Sequence, residues 1–208
     1  MSGFYSAGLF DVIPDSVLEN FERDDPLDDW EDPENEAGNY SITTSNVLEG
    51  DRSLEGSDSN FLIQTDNPFE DLPEQGDDFA CLVRPQDGNA DASLNFGATD
   101  SDNLYAAQIR LGNGSFRMFR LVDGSFAELA STSISGVSSG DALDIRVEWQ
   151  TDDTIQATLY EWDEGNFERA GEVASVSDTD GVFGSGGIGV RALNEQTIFD
   201  LIRYEDAN

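Results

Sequence analysis

The sequence predicts an all-β chain, a two-sheet antiparallel sandwich preceded by an extended N-terminal arm. Three observations lead there. Apolar and polar residues alternate with a period of two in one short segment after another, the segments are separated by Gly, Asn and Asp, and helical periodicity is nearly absent over the 208 residues. The clearest segment places Leu143, Ile145, Val147 and Trp149 on one face and Asp144, Arg146 and Glu148 on the other. The 13 Phe, 5 Tyr and 3 Trp are enough bulk for a core, which argues against the disordered chain that charge alone suggests.

Residues 1–17 read as an arm without clear period, in which Phe4, Tyr5, Leu9, Phe10, Val12 and Ile13 are large apolar groups to be covered by a partner. A single domain, 18–208, follows. A first strand is expected over Val17–Glu22, and then a solvated loop, since ten of the eighteen residues from Glu19 to Glu36 are acidic and Pro26 and Pro33 interrupt them. Further strands are expected at 40–44, 52–55, 60–65, 78–84, 92–98, 104–111, 115–122, 126–131, 142–149, 154–162, 167–173, 187–192 and 197–204. Gly112-Asn113-Gly114, Asp123-Gly124 and Asp163-Glu164-Gly165-Asn166 supply the turns, where Gly and Asn accept the positive φ of a hairpin. With no helices between them, such strands close two antiparallel layers.

Charge narrows function. Ten Arg, no Lys and 44 Asp+Glu give a net charge of −34, so the chain lacks the basic stripe that nucleic acid or an anionic membrane surface requires. No apolar run approaches the roughly 18 residues of a membrane span. Arginine without lysine, among crowded carboxylates, suits a solvent of molar salt, where the Debye length is about 3 Å. With no His and one Cys, Cys81, Ser/His/Asp and Cys/His centres and the usual zinc sites are excluded. Cys81, in Phe79-Ala80-Cys81-Leu82-Val83, is expected to be a small buried hydrophobe. Met1–Asp15 shows neither a basic start nor an uninterrupted apolar stretch, so it does not read as a secretory signal.

A series of phrases resembles the concanavalin A-like lectin/glucanase jelly rolls, in the form found in haloarchaeal virus and haloarchaeal surface proteins. They are Glu19-Asn20-Phe21-Glu22-Arg23, Val47 to Gly56, Phe96 to Tyr105, Gly186-Gly187-Ile188-Gly189-Val190-Arg191, and Phe199-Asp200-Leu201-Ile202-Arg203, spanning about 18–204. The resemblance implies a jelly roll, a fold that hosts lectins, glycosidases, lyases and passive structural modules alike. It implies that the first and last strands pair, bringing Glu22 and Asp24 near Asp200. Hard oxygen ligands of that kind suit Ca²⁺ or Mg²⁺, and Asp100 and Asp102 form a second oxygen-rich loop; the alternative is that all are hydrated surface carboxylates, and no cofactor is required.

Glucanases of this fold carry paired carboxylates on one strand. Glu49-Gly50-Asp51-Arg52-Ser53-Leu54-Glu55 has the spacing of their longer motif but places Gly50 and Arg52 where apolar residues are usual. Glu161-Trp162-Asp163 lacks the third acid, and the chain is expected not to be an enzyme. The strand 115–122 puts Arg117 and Arg120 on opposite faces, as an ion pair at a sheet edge or a sugar contact would. The expectation is a structural protein on the outside of a haloarchaeal virus particle: a turret, decoration or tail fibre component. It would be assembled in the host cytoplasm, held by its arm to other virion proteins, repeated as a homo-oligomer, and would touch host surface glycans. The alternative is a soluble halophilic carbohydrate-binding module or degenerate glycosidase.

Overall fold

The computed structural model describes residues 17–22, 27, 30, 39–57, 61–65 and 72–205. The arm residues Phe4, Tyr5, Leu9, Phe10, Val12 and Ile13, and the candidate ligand Asp24, lie outside them. The described strands are β1 (Val17–Glu19), β2 (Tyr40–Thr43), β3 (Ser53–Gly56), β4 (Phe61–Gln64), β5 (Asp78–Pro85), β6 (Asp91–Asp100), β7 (Asn103–Arg110), β8 (Ser115–Val122), β9 (Ser125–Ser133), β10 (Leu143–Trp149), β11 (Thr154–Asp163), β12 (Glu168–Thr179), β13 (Gly187–Leu193) and β14 (Thr197–Tyr204). One sheet has eight strands, ordered β12-β11-β10-β5-β14-β3-β2 with β1 also on β14; the other has six, ordered β4-β13-β6-β7-β8-β9. All pairings are antiparallel. The fold is a two-sheet jelly-roll sandwich, and the first strand does pair with the last, Val17 opposite Arg203.

The inner faces carry the alternation that the sequence shows. Phe79 of β5 and Trp149 of β10 meet Phe96 of β6 and Tyr105 of β7 across the layers, with ring centroids 5.3 Å (Phe79–Phe96), 5.4 Å (Phe96–Trp149) and 5.9 Å (Tyr105–Trp149) apart. All four are fully buried, and each such edge-to-face pair contributes about 0.5–1.5 kcal/mol beyond its area. Gly97 sits at φ +60 where a Cβ would lie 3.0 Å from the Trp149 ring, so a side chain there would be strained and crowded at once. The Tyr105 hydroxyl donates to Asp180 Oδ1 (2.7 Å) and accepts from Val182 N and Phe183 N (3.0 and 3.2 Å). It thereby ties the connection between β12 and β13 to the six-stranded sheet.

Two segments differ from expectation. The first strand stops at Glu19 instead of reaching Glu22. Glu19 Oε1 accepts from Asn20 N and Phe21 N (3.0 and 2.7 Å), and Phe21 turns to φ +57 to bury its ring against Trp30. β12 runs to Thr179, beyond the expected end at Val173, because bulges at Ala170 and Val173 reset its alternation against β11. A further bulge, at Leu129, interrupts β9 against β8. The β8–β9 turn is the two-residue type with positive φ at Asp123 and Gly124. Cys81 is buried in the core, its thiol pushed up by that burial.

Truncating the central ring, Phe96→Ala, is expected to cost about 3–5 kcal/mol, read as a lowered denaturant midpoint; a cost below about 1 kcal/mol would remove the aromatic cluster from its central place. Diluting the salt from molar to about 0.01 M lengthens the Debye length roughly tenfold and unmasks carboxylate repulsion. The thermal midpoint should therefore fall on dilution, and an unchanged midpoint in calorimetry would contradict it.

Candidate functional site

The outer face of the six-stranded sheet, turned away from the other layer, carries a connected set of polar groups in which Ser93, Asn95 and Gln108 are buried. Alternation puts Ala92, Leu94 and Phe96 of β6 in the core and therefore sends Asp91, Ser93 and Asn95 outward. Register then builds a polar row across four strands: Arg191 (β13) opposite Ser93 (β6), Ser93 opposite Gln108 (β7), Gln108 opposite Arg117 (β8). One step along lies a second row, Gly189, Asn95, Ala106 and Phe119. Small residues thus flank Asn95 on both sides.

The row is held by short hydrogen bonds to uncharged acceptors. Arg117 Nε donates to Gln108 Oε1 at 2.8 Å, and Ser93 Oγ donates to Asn95 Oδ1 at 2.9 Å. Asn95 is fully buried and its Nδ2 has no hydrogen-bond partner, a deficit that costs about 1–3 kcal/mol unless an acceptor arrives. Two arginines lie over rings: Arg191 over Phe61 (4.5 Å to the centroid) and Arg117 between Phe119 and Phe126 (5.1 and 5.0 Å). Phe126 remains 52% exposed. Burial raises the Asp91 carboxyl pKa, against the opposing pull of Arg110, Arg117 and Arg191.

Charge singles out the same sheet. The six strands of this sheet hold four arginines and three carboxylates, whereas the strands of the eight-stranded sheet hold four arginines and eleven carboxylates. In a chain of net charge −34, this is where a guanidinium is least outnumbered.

The eight-stranded sheet uses its polar groups structurally. Asp144, fully buried, accepts from Arg203 Nη2 (2.8 Å) and Arg169 Nε (2.6 Å), and Arg169 also bonds Glu205 (2.8 Å). Each charge there has its counter-charge, as burial demands. Arg120, the other arginine of β8, pairs with Asp180 at the sheet end.

The expected metal ligands are distributed as follows. Glu22 Oε1 accepts from Asp51 N and Arg52 N (2.7 and 2.8 Å); Asp200 accepts from Ser53 Oγ, Glu49 N and Leu201 N (2.7, 3.0 and 2.8 Å). Both carboxylates therefore grip the same turn, 49–53, through its N–H and O–H donors. Asp100 Oδ1 accepts from Asp102 N and Asn103 Nδ2, each at 2.9 Å, closing the β6–β7 turn. Among the described residues no three Asp, Glu, Cys or His side chains gather as a metal site. The glucanase-like run does not lie on one strand: Glu55 is in β3, but Glu49, Gly50 and Asp51 form a bend with Gly50 at φ +69. Glu49 lines a shallow open pocket with Leu48, Glu164 and Phe167.

No protein-family model matches the sequence, and no curated protein does. Solved structures match the fold. The carbohydrate-binding module CBM66 from Bacillus subtilis superposes with a TM-score of 0.58 at 15% identity, over 80% of this chain and 96% of that one. The GH43 protein BlXynB from Bacillus licheniformis gives 0.52 at 13% identity, over 94% of this chain and 40% of that one. GH43B of a Bacteroides ovatus xyloglucan locus gives 0.50 at 15%, over 85% and 36%. The chain thus matches almost the whole length of the binding module and well under half of each GH43 chain. What these structures share with it is the concanavalin-like sandwich.

Asp200 yields a pH test. Burial pushes its carboxyl pKa from 3.8 up to about 7, against the hydrogen bonds from Ser53, Glu49 and Leu201. The folded state therefore favours the protonated acid, a contribution complete below about pH 4 and lost as pH rises through about 7. Asp200→Asn should flatten that part of the stability profile, measured as thermal midpoint against pH in molar salt. A variant as pH-dependent as the parent would refute the assignment.

Proposed function

We propose that the chain is a carbohydrate-binding, lectin-like module whose ligand lies on the outer face of the six-stranded sheet. The observation that carries this is the polar row Arg191-Ser93-Gln108-Arg117 beside the exposed ring of Phe126. Sugars need that combination: polar forks for their hydroxyls and an aromatic face for their C–H groups. The shared fold with a carbohydrate-binding module supports the reading. A binding role in preference to hydrolysis is supported by the separation of Glu49 and Glu55 onto a bend and a strand.

The narrower reading is that the module is displayed on the outside of a haloarchaeal virus particle, anchored by residues 1–17 and repeated as a homo-oligomer. The lysine-free, acidic composition and the apolar run Phe4, Tyr5, Leu9, Phe10, Val12 and Ile13 support it. Mass spectrometry of purified virions tests it directly, and absence of the polypeptide from the particles would end it.

For the binding site itself, a glycan array in molar salt should return at least one ligand. Phe126→Ala should weaken that ligand about fivefold or more without moving the thermal midpoint, because the ring is half exposed. Undiminished binding by this variant would displace the site from this face.

A further inference from the structure

Five of the described arginines share a close pairing that two neighbours lack. Arg84, Arg120, Arg146, Arg169 and Arg203 each bring a guanidinium nitrogen within 3.0 Å of a carboxylate oxygen. Arg110 reaches Asp91 only at 3.4 Å, and Arg117 reaches Glu128 only at 3.5 Å. The one short bond of Arg117 goes to Gln108, which is neutral. In a chain with 44 carboxylates, loose pairing is not for want of acids. The two arginines stand on adjacent paired strands, β7 and β8. Burial, and then the charge of Arg110, work against the Arg117 guanidinium, with Glu128 and Asp91 offsetting them in part. Two like charges held close and partly out of water favour an anion between them.

The second observation is independent of charge. Asn95 Nδ2, buried and unpartnered on the next row, is a donor awaiting an acceptor. The loosely held groups on this face, the Arg110 and Arg117 guanidiniums and the Asn95 amide, are all donors. A neutral sugar, whose hydroxyls both give and take, uses such a site poorly; a ligand rich in acceptors uses it fully.

We propose that the outer face of the six-stranded sheet binds an anionic sugar, one bearing a carboxylate or a sulfate, with the anion held between Arg110 and Arg117 and a ring oxygen or hydroxyl accepting from Asn95. The proposal rests on the carbohydrate-binding reading above and specifies its ligand class. Guanidinium matches the planar carboxylate and the sulfate face through paired N–H donors. Such bonds are partly sheltered from solvent and survive salt that screens exposed charges.

The test is calorimetric titration in molar potassium chloride with three probes: a galacturonic acid oligomer, a sulfated galactan oligomer and a neutral galactan oligomer. At least one acidic probe should bind about tenfold or more tightly than the neutral one, and which one does so distinguishes carboxylate from sulfate. Arg110→Gln with Arg117→Gln should remove that preference, bringing the acidic probe down to the affinity of the neutral one. Glu128→Gln, which deletes the competing exposed carboxylate, should tighten the acidic probe and not the neutral one. This second variant keeps the test decisive if the double variant fails to fold. Equal affinity for acidic and neutral probes, or an acidic preference indifferent to Glu128→Gln, would overturn the anionic assignment and leave the carbohydrate reading standing. Absence of binding by all three probes, with a glycan array also blank, would overturn both.

Discussion

The two layers are joined by rings. Phe79 and Trp149 come from one sheet, Phe96 and Tyr105 from the other, and Phe183 from the connection that leads from β12 to β13. Area burial is indifferent to geometry, but edge-to-face packing is not, so these contacts fix the relative placement of the layers. The Tyr105 hydroxyl extends the constraint, holding Asp180, Val182 and Phe183 against the sheet. The outer faces inherit their shape from this inner arrangement, including the row of polar side chains on β13, β6, β7 and β8.

Carboxylates in excess impose the second constraint. A buried acid must be matched by a guanidinium, as Asp144 is by Arg203 and Arg169, or by hydrogen-bond donors, as Asp200 is by Ser53, Glu49 N and Leu201 N. With only ten arginines in the chain, each one committed to the eight-stranded sheet is unavailable elsewhere. That Arg110 and Arg117 are left loosely paired on the other sheet is therefore informative about what that sheet is for.

The strands were legible because a half-buried strand writes its own period, and Leu143, Ile145, Val147 and Trp149 do so without interruption. β12 was legible only to Val173, since two extra residues shift its phase and the following Ser175, Ser177 and Asp178 imitate a loop. The site was legible in part. Alternation in β8 marks Arg117 as facing opposite to Arg120. Ser93, Asn95, Gln108 and Arg191 belong to three other strands, and which residues stand side by side is set by register, which no single segment encodes. A signal was nevertheless present: Ser93 and Asn95 flank Leu94, and Gln108 stands between Ala107 and Ile109, uncharged polar residues in outward positions between apolar neighbours.

The borders of the two sheets share a feature. Among the described residues, the outermost strands on one side, β9 and β12, are both bulged; on the other, β4 and β2 are four residues long. An unpaired border is a template for another chain, and proteins commonly blunt it with charged side chains. Concentrated electrolyte would disarm that defence, because mutual repulsion no longer reaches a neighbouring molecule. Kinks and brevity do not depend on ionic strength. A border blunted in this way resists edge-to-edge extension in dilute buffer and in concentrated salt alike.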